Sequence, residues 1–274
     1  MQNGWALQSG TSHFLGQNFA RAFDVYFQTE STGRELVWAT SWGVSTRLIG
    51  ALVMTHSDDR GLVLPPKVAP QQVVIVPITK GQGEDHDRVM AKVVEMAATL
   101  KAARIRVKVD DRQHIRPGAK YFEWERKGVP LRIDIGARDL SANIAVMSRR
   151  NKAGEKEQLS LDNSALAATI GSVLDEIHAS LFDQAQKRLA EKTFRVSSYE
   201  QMKGMMASAD EGEKGFYLVP WKCDAVNEEF IKEDCKATVR CYPDEHNTGA
   251  VVSGLKCFYS GEPATHMAIF ARAF

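Results

Sequence analysis

Residues 71–78 read QQVVIVPI. A short, almost wholly apolar run rich in β-branched residues fits a strand buried on both faces, the habit of a sheet flanked by helices. A helical pattern follows over roughly residues 86–103, and IRVKVD (105–110) reads as the next strand. YFEWERKGVPLRIDIG (121–136) reads as two further strands around a Lys-Gly turn, and NIAVMSRR (143–150) as another. Strands alternating with helices predict a mixed α/β domain for the middle of the chain.

Working outward, a helix is expected after the caps Asp162 and Ser164. Leu166, Ile170, Val173, Leu174, Ile177 and Leu181 mark its apolar face. It is expected to bridge to a last block, where GFYLVPW (215–221), KATVRCYP (236–243) and THMAIFARAF (265–274) read as strands. On the N-terminal side, HFLGQNFARAF (13–23) spaces Leu15, Phe19 and Phe23 as an amphipathic helix capped near Ser12. DVYFQ and ELVWAT flank STGR as a hairpin. A helix from Arg47 is expected to bury Leu48, Ile49, Leu52 and Val53, and Pro65-Pro66 punctuates the block. The expected domains are 1–69, 70–164, a bridging helix 165–192, and 193–274.

The chain has 274 residues, enough for two or three domains. The N-terminus has neither the basic region nor the continuous apolar core of a signal peptide. No unbroken apolar run reaches the roughly 20 residues of a membrane helix. Four cysteines, at 223, 235, 241 and 257, fit a reduced, cytoplasmic setting or a metal site. The formal net charge of +1 is unevenly spread: residues 70–161 carry 18 basic against 12 acidic side chains, residues 162–274 carry 12 against 17. A basic middle suits a polyanionic partner, with a solvated mixed-charge surface as the alternative.

Arg47 poses a local question. It lies in the first turn of its helix, where the macrodipole is positive and a cation is disfavoured. From spacing alone, Arg47 reads as a surface arginine pairing with Asp58 or Asp59.

The stretch SWGVSTRLIGALVMTHSDDRGLVLPP (41–66) resembles motif 3 of a class II aminoacyl-tRNA synthetase. With LQSGTSHFLGQNF (7–19) before it and APQQVVIVPI (69–78) after it, the resemblance is to the prolyl-tRNA synthetase family, in the subtype shared by archaea, the eukaryotic cytosol and some bacteria. It runs the length of the chain. It implies part of an antiparallel class II catalytic domain, a mixed α/β anticodon-binding domain and a small α+β C-terminal domain. It also implies that motifs 1 and 2 lie before the point where this sequence starts. The chain is therefore expected to be a C-terminal portion, unable to adenylate proline by itself.

The implied activity is ATP-dependent attachment of proline to tRNA-Pro, with Mg²⁺ accompanying ATP, a homodimer in the full-length family, and no membrane. The rival function is a catalytically inactive tRNA binder. Arg47 is implied as the catalytic arginine that reaches the ATP γ-phosphate. Gln8, Thr11 and His13 match the family's Q-x-x-T-x-H at adenosine and proline. Ser45 matches a position beside ATP and could equally cap the helix; Trp42 and Gly43 are expected to shape the pocket floor. In FEWERKGVPLRIDIGARDL (122–140), Glu125, Arg132, Arg138 and Asp139 match the readers of two anticodon guanines. Carboxylates suit guanine's N1–H and N2–H₂ donors, and arginines suit O6 and N7. Ala137 stands where the family has proline, which loosens that turn. Lys80 is expected to meet phosphate alone.

Relatives of this subtype often hold a structural zinc with four cysteines. Cys223 and Cys257 match two of these. Asn227-Glu228 and Ser260 stand at the other two, and Cys241 matches a non-ligand position. Two thiolates are too few for a closed tetrahedral site, so no zinc is expected.

Overall fold

The computed structural model describes residues 1–79, 81–152, 154–247 and 252–274, apart from the Asn163 side chain. Lys80 therefore lies outside the described residues. Two compact units emerge: Met1–Ala51 together with Glu191–Phe274, and Leu52–Ala190.

The chain opens with β1 (Thr11–Gly16), α1 (Asn18–Ala22), the hairpin strands β2 (Tyr26–Gln28) and β3 (Arg34–Leu36), β4 (Ala39–Gly43) and α2 (Arg47–His56). β2 and β3 pair antiparallel around the expected turn, and β1 pairs antiparallel with β4. The amphipathic helix expected over 13–23 is not formed. His13 to Gly16 belong to β1, Ser12 sits inside that strand opposite Trp42, and only residues 18–22 are helical. Pairing with β4 outweighs the helical spacing, and Gly16, at φ +57°, ends the strand in a conformation open to glycine.

α2 forms where expected, but none of its residues is buried. Ile49 is 66% exposed and Leu48 40%. A helical period predicts which residues share a face; what covers that face depends on tertiary partners.

The second unit is an α/β layer. Its strands are β5 (Val73–Ile78), β6 (Val107–Val109), β7 (Leu131–Gly136), β8 (Ile144–Arg149) and β9 (Glu157–Ser160), in sheet order β6-β5-β7-β8-β9. β5 is parallel to β6 and β7, while β7–β8 and β8–β9 are antiparallel. Val73 to Val76 are completely buried, as the apolar run required.

Between β5 and β6 runs α3 (Glu84–Ala102), with Glu84, Asp85 and Asp87 in its first turn and Lys101 in its last, matching its dipole. Its Val89, Val93, Met96 and Leu100 face the sheet. Between β6 and β7 lies α4 (Pro117–Arg126), where the aromatic-rich YFEWER was expected to be a strand. Proline at the first helical position, Lys120 and Trp124 buried one turn apart, and Gly128 at φ +72° just past the end make it a helix.

α5 (Ala137–Ser141) follows β7. α6 (Asn163–Glu191) then starts behind Asp162, whose Oδ1 accepts the Ser164 N–H at 3.0 Å. Asp162 is the cap, and Ser164 is already inside the helix. Leu166, Ile170, Val173, Leu174, Ile177 and Leu181 are all buried in the same core as β5 and β7. α6 is long and apolar enough to cross a membrane by length and composition, but this face packs on the sheet, which marks a core helix.

The last segment supplies β10 (Thr193–Arg195), α7 (Tyr199–Ala207), β11 (Phe216–Trp221), α8 (Ala225–Cys235), β12 (Ala237–Cys241) and β13 (His266–Arg272). Its mixed sheet has the order β10-β11-β13-β12. Trp221, Phe258 and Phe270 form its aromatic centre, with ring centroids 5.2–5.9 Å apart.

Candidate nucleotide and nucleic-acid sites

The pairing of β1 with β4 sets Thr11 opposite Gly43 and His13 opposite Ser41. Gln8, Thr11, His13, Gly43, Ser45 and Arg47 line one open cleft of about 360 Å³. Gln8 Nε2 donates to Thr11 Oγ1 at 2.8 Å, and Arg47 Nη1 donates to Gln8 Oε1 at 3.3 Å. Ser45 Oγ accepts the Arg47 N–H at 3.3 Å, at the start of α2. The residues expected at ATP thus come together, with the guanidinium beside a helix N-terminus as an anion would require. Trp42 does not line the cleft. Strand alternation turns it away from Ser41 and Gly43, and it stands 79% exposed.

A second cavity, of about 260 Å³, opens between α4, β7 and β8. Glu125 and Arg132 both line it, Glu125 from the last turn of α4 and Arg132 from β7. Glu125 is therefore a helical residue facing a strand residue, where two strands around a turn were expected.

Arg132 is held firmly. Its Nε donates to both oxygens of Asp134 at 3.0 and 3.2 Å, its Nη2 lies 3.3 Å from Ser148 Oγ, and the guanidinium stacks 3.9 Å from the Tyr121 ring centroid. Burial raises the Asp134 pKa, with Arg132 opposing the shift. Burial, helped by the Asp134 charge, pushes the Tyr121 phenol up to about 12. An arginine clamped in this way presents its remaining N–H groups in a fixed direction.

Arg138 and Asp139 do not line this cavity. They lie in the first turn of α5, where Asp139 Oδ2 accepts the Gly136 N–H at 2.9 Å. That bond secures the turn that Ala137 was expected to loosen.

Sequence reading missed Arg60, Tyr121, Lys156 and Arg149, which also line the cavity. Tyr121 precedes Glu125 by one helical turn, so reading YFEWER as a helix would have found it. A further cavity, of about 330 Å³, lies past the ends of β5 and β6, bordered by Thr79, His86, His114 and Arg116.

Beneath α4, Asp110 accepts from Arg112 at 2.8 and 2.7 Å and from Trp124 Nε1 at 2.7 Å. Burial pushes the Asp110 carboxyl up, but these bonds outweigh it and hold the pKa well below the usual range. The network fastens α4, and with it Glu125, to the end of β6.

The cysteines form no such constellation. Among the described residues, no three His, Cys, Asp or Glu side chains group to hold a metal. Cys223 Sγ lies 3.4 Å from the Tyr242 hydroxyl. Burial pushes the Cys257 thiol up, but the Ser260 hydroxyl and nearby backbone N–H groups outweigh it and bring its pKa below the usual value. This donor set does not fit a four-ligand zinc site.

Comparison with known proteins bears on both ends of this arrangement. A family model described as the anticodon binding domain matches residues 72–167, and one described as prolyl-tRNA synthetase, C-terminal, matches residues 206–274. The proline–tRNA ligase of Chloroherpeton thalassium is 47% identical over 277 residues, covering 100% of this chain and 55% of the relative. The chain belongs to the prolyl-tRNA synthetase family. That of Porphyromonas gingivalis is 46% identical, with 100% and 53% covered. A prolyl-tRNA synthetase of Cryptosporidium parvum, solved in complex with halofuginone and AMPPNP, superposes with a TM-score of 0.87 at 35% identity. That match covers 99% of this chain and 55% of the synthetase. The chain thus spans about half the length of its curated prolyl-tRNA synthetase relatives, and its mixed α/β fold is the one they share.

Proposed function

We propose that this chain serves prolyl-tRNA aminoacylation in the cytoplasm: the ATP-dependent attachment of proline to tRNA-Pro, with reading of the proline anticodon as the task of residues 52–190. The observation that carries the reading is the convergence of Glu125 and the clamped Arg132 on a base-sized cavity, within the segment that matches an anticodon binding domain.

In this reaction proline's carboxylate attacks the α-phosphate of ATP and pyrophosphate leaves, and then a ribose hydroxyl at the tRNA 3′ end takes the prolyl group and AMP leaves. Both steps move charge on oxygen, so fixed cations and dipoles supply much of the catalysis. Arg47, steadied by Gln8 at the start of α2, is suited to the γ-phosphate. Gln8, Thr11 and Ser45 offer hydrogen bonds to adenosine, and His13 borders the proline end. ATP would enter with Mg²⁺. The cleft lining contains no carboxylate, so these residues would hold the nucleotide rather than the ion.

At the anticodon, Glu125 would accept guanine's N1–H and N2–H₂ while Arg132 donates to O6 or N7. Arg138, beside Asp139 at the start of α5, would meet the neighbouring guanine. The family relationship and the shared cavity support Glu125 and Arg132 most strongly.

The test is binding of the purified 274-residue chain to tRNA with a proline anticodon and to the same tRNA with both anticodon guanines replaced. The expected preference for the former is roughly tenfold or more. Equal affinity would remove the reading.

A further inference from the structure

The segment between α2 and β5 is fastened to the end of the helix that carries Glu125. Arg150, 3% exposed at its side chain, donates from Nη1 and Nη2 to the two oxygens of Asp58 at 2.9 and 2.5 Å. Its Nε donates to the Glu125 carbonyl at 3.0 Å, and its Nη2 reaches the Gly61 carbonyl at 3.3 Å. The Leu62 N–H donates to the Arg126 carbonyl at 3.0 Å. Gly61 has φ +130°, and a Cβ on it would meet the Arg126 carbonyl oxygen at 2.6 Å, so only glycine permits this approach. From this pinned loop Arg60 reaches over the cavity, and its Nη1 donates to Glu125 Oε1 at 2.9 Å. Among the described residues, no other side chain bonds the Glu125 carboxylate.

We propose that Arg60 is a specificity-determining residue of the base cavity, one that positions the Glu125 carboxylate for guanine. This rests on the reading of the cavity given above. A carboxylate has about four lone-pair positions. Arg60 occupies one on Oε1, which leaves Oε2 and the rest of Oε1 for the N1–H and N2–H₂ of a base. A glutamate without that bond samples several rotamers, and freezing one on binding weakens the complex. Adenine carries an acceptor at N1 where guanine has a donor, so a carboxylate held in place rejects adenine and a mobile one rejects it less. Arg60 is well placed for this because its own loop is fixed by Arg150, Asp58 and Gly61. Its side chain is 55% exposed, so the effect belongs to the modest range of open ion pairs.

The experiment uses the full chain with Arg60→Ala, Arg60→Lys, Glu125→Gln and the double variant Arg60→Ala/Glu125→Gln. Each is titrated with tRNA bearing the proline anticodon and with two tRNAs that each have one anticodon guanine replaced by adenine. Arg60→Ala should lower the guanine-over-adenine preference about fivefold, at one anticodon position only. Arg60→Lys should restore part of it, and the double variant should discriminate no worse than Glu125→Gln alone. Equal weakening of all three tRNAs, the mark of a phosphate contact, would overturn the proposal, as would additive losses in the double variant. A wild-type chain that discriminates, with Arg60→Ala unchanged from it, overturns this proposal alone. A wild-type chain that does not discriminate overturns the guanine reading as well.

Discussion

Arg150→Ala should loosen the second unit together with the cavity that Glu125 and Arg132 line. The Arg150 guanidinium makes four hydrogen bonds: two to the Asp58 carboxylate and one each to the Glu125 and Gly61 carbonyls. Removing the guanidinium leaves no buried cation behind. Asp58 is 46% exposed and can rehydrate, so the two charge-assisted bonds count for well under their gross strength. The two carbonyls lose partners in a tighter place. Together these give a loss of about 2–3 kcal/mol. For a unit of this size that lowers the melting temperature by roughly 5–10 °C.

The pH dependence follows from Asp58. Its hydrogen bonds from Arg150 hold its pKa below the usual carboxylate value. A depressed folded pKa contributes stability above the unfolded pKa, near 4, and that stability is lost as pH falls through the folded value. The wild-type advantage should therefore be constant from about pH 5 to 7 and shrink below pH 4. Calorimetry or circular-dichroism melts of both proteins across that range measure it, and Asp58→Asn should follow the same trend with a smaller loss. A melting temperature unchanged at pH 7, or a gap undiminished at pH 3, would refute the reasoning.

Three further outcomes are expected. In a synthetase containing this chain's sequence, Arg47→Ala should slow proline-dependent ATP–pyrophosphate exchange by roughly 10²–10³ at saturating substrates, and an unchanged rate would remove Arg47 from the phosphate site. Metal analysis of the purified chain should find no stoichiometric zinc; one zinc per chain that survives mild chelation would contradict the two-thiol ligand count. Gly128→Ala, at φ +72° with its Cβ 2.7 Å from the Leu62 carbonyl oxygen, should destabilise the chain by about 1–3 kcal/mol in urea melts, and a neutral result would show that the Leu62 contact relaxes freely.

Legibility in the sequence followed how local each determinant was. VVIVPI could be read because a continuous apolar run admits few other uses, and α6 because six apolar residues keep helical spacing over four turns. YFEWER misled because its aromatic residues favour strands on average, while the helix signals were Pro117 before it and Gly128 after it. HFLGQNF misled because its partner strand β4 is 23 or more residues away. The cleft residues were legible through the motif resemblance, which carried Gln8, Thr11, His13, Ser45 and Arg47 to one place. Trp42 failed because adjacent strand residues face opposite ways. Arg60 carried no local signal, since its partner Glu125 lies 65 residues further on. A single sequence offers no rule for pairing one acid with one base at that distance.

The central claim is that Glu125 and Arg132 read a base rather than merely adding to a charged surface. It is tested most directly by comparing Glu125→Gln and Arg132→Ala with Arg116→Ala. Arg116 is exposed and, among the described residues, its side chain has no hydrogen-bond or ion-pair partner; it borders the other cavity. Each variant of the 274-residue chain is titrated at two salt concentrations with tRNA of the proline anticodon and with tRNA whose anticodon guanines are replaced. Glu125→Gln and Arg132→Ala should each cost about 1–3 kcal/mol with the first tRNA and little with the second. Arg116→Ala should weaken both tRNAs alike and flatten the salt dependence. If all three variants gave the Arg116 pattern, residues 52–190 would bind RNA only as a polyanion, and the account of the anticodon site would be wrong.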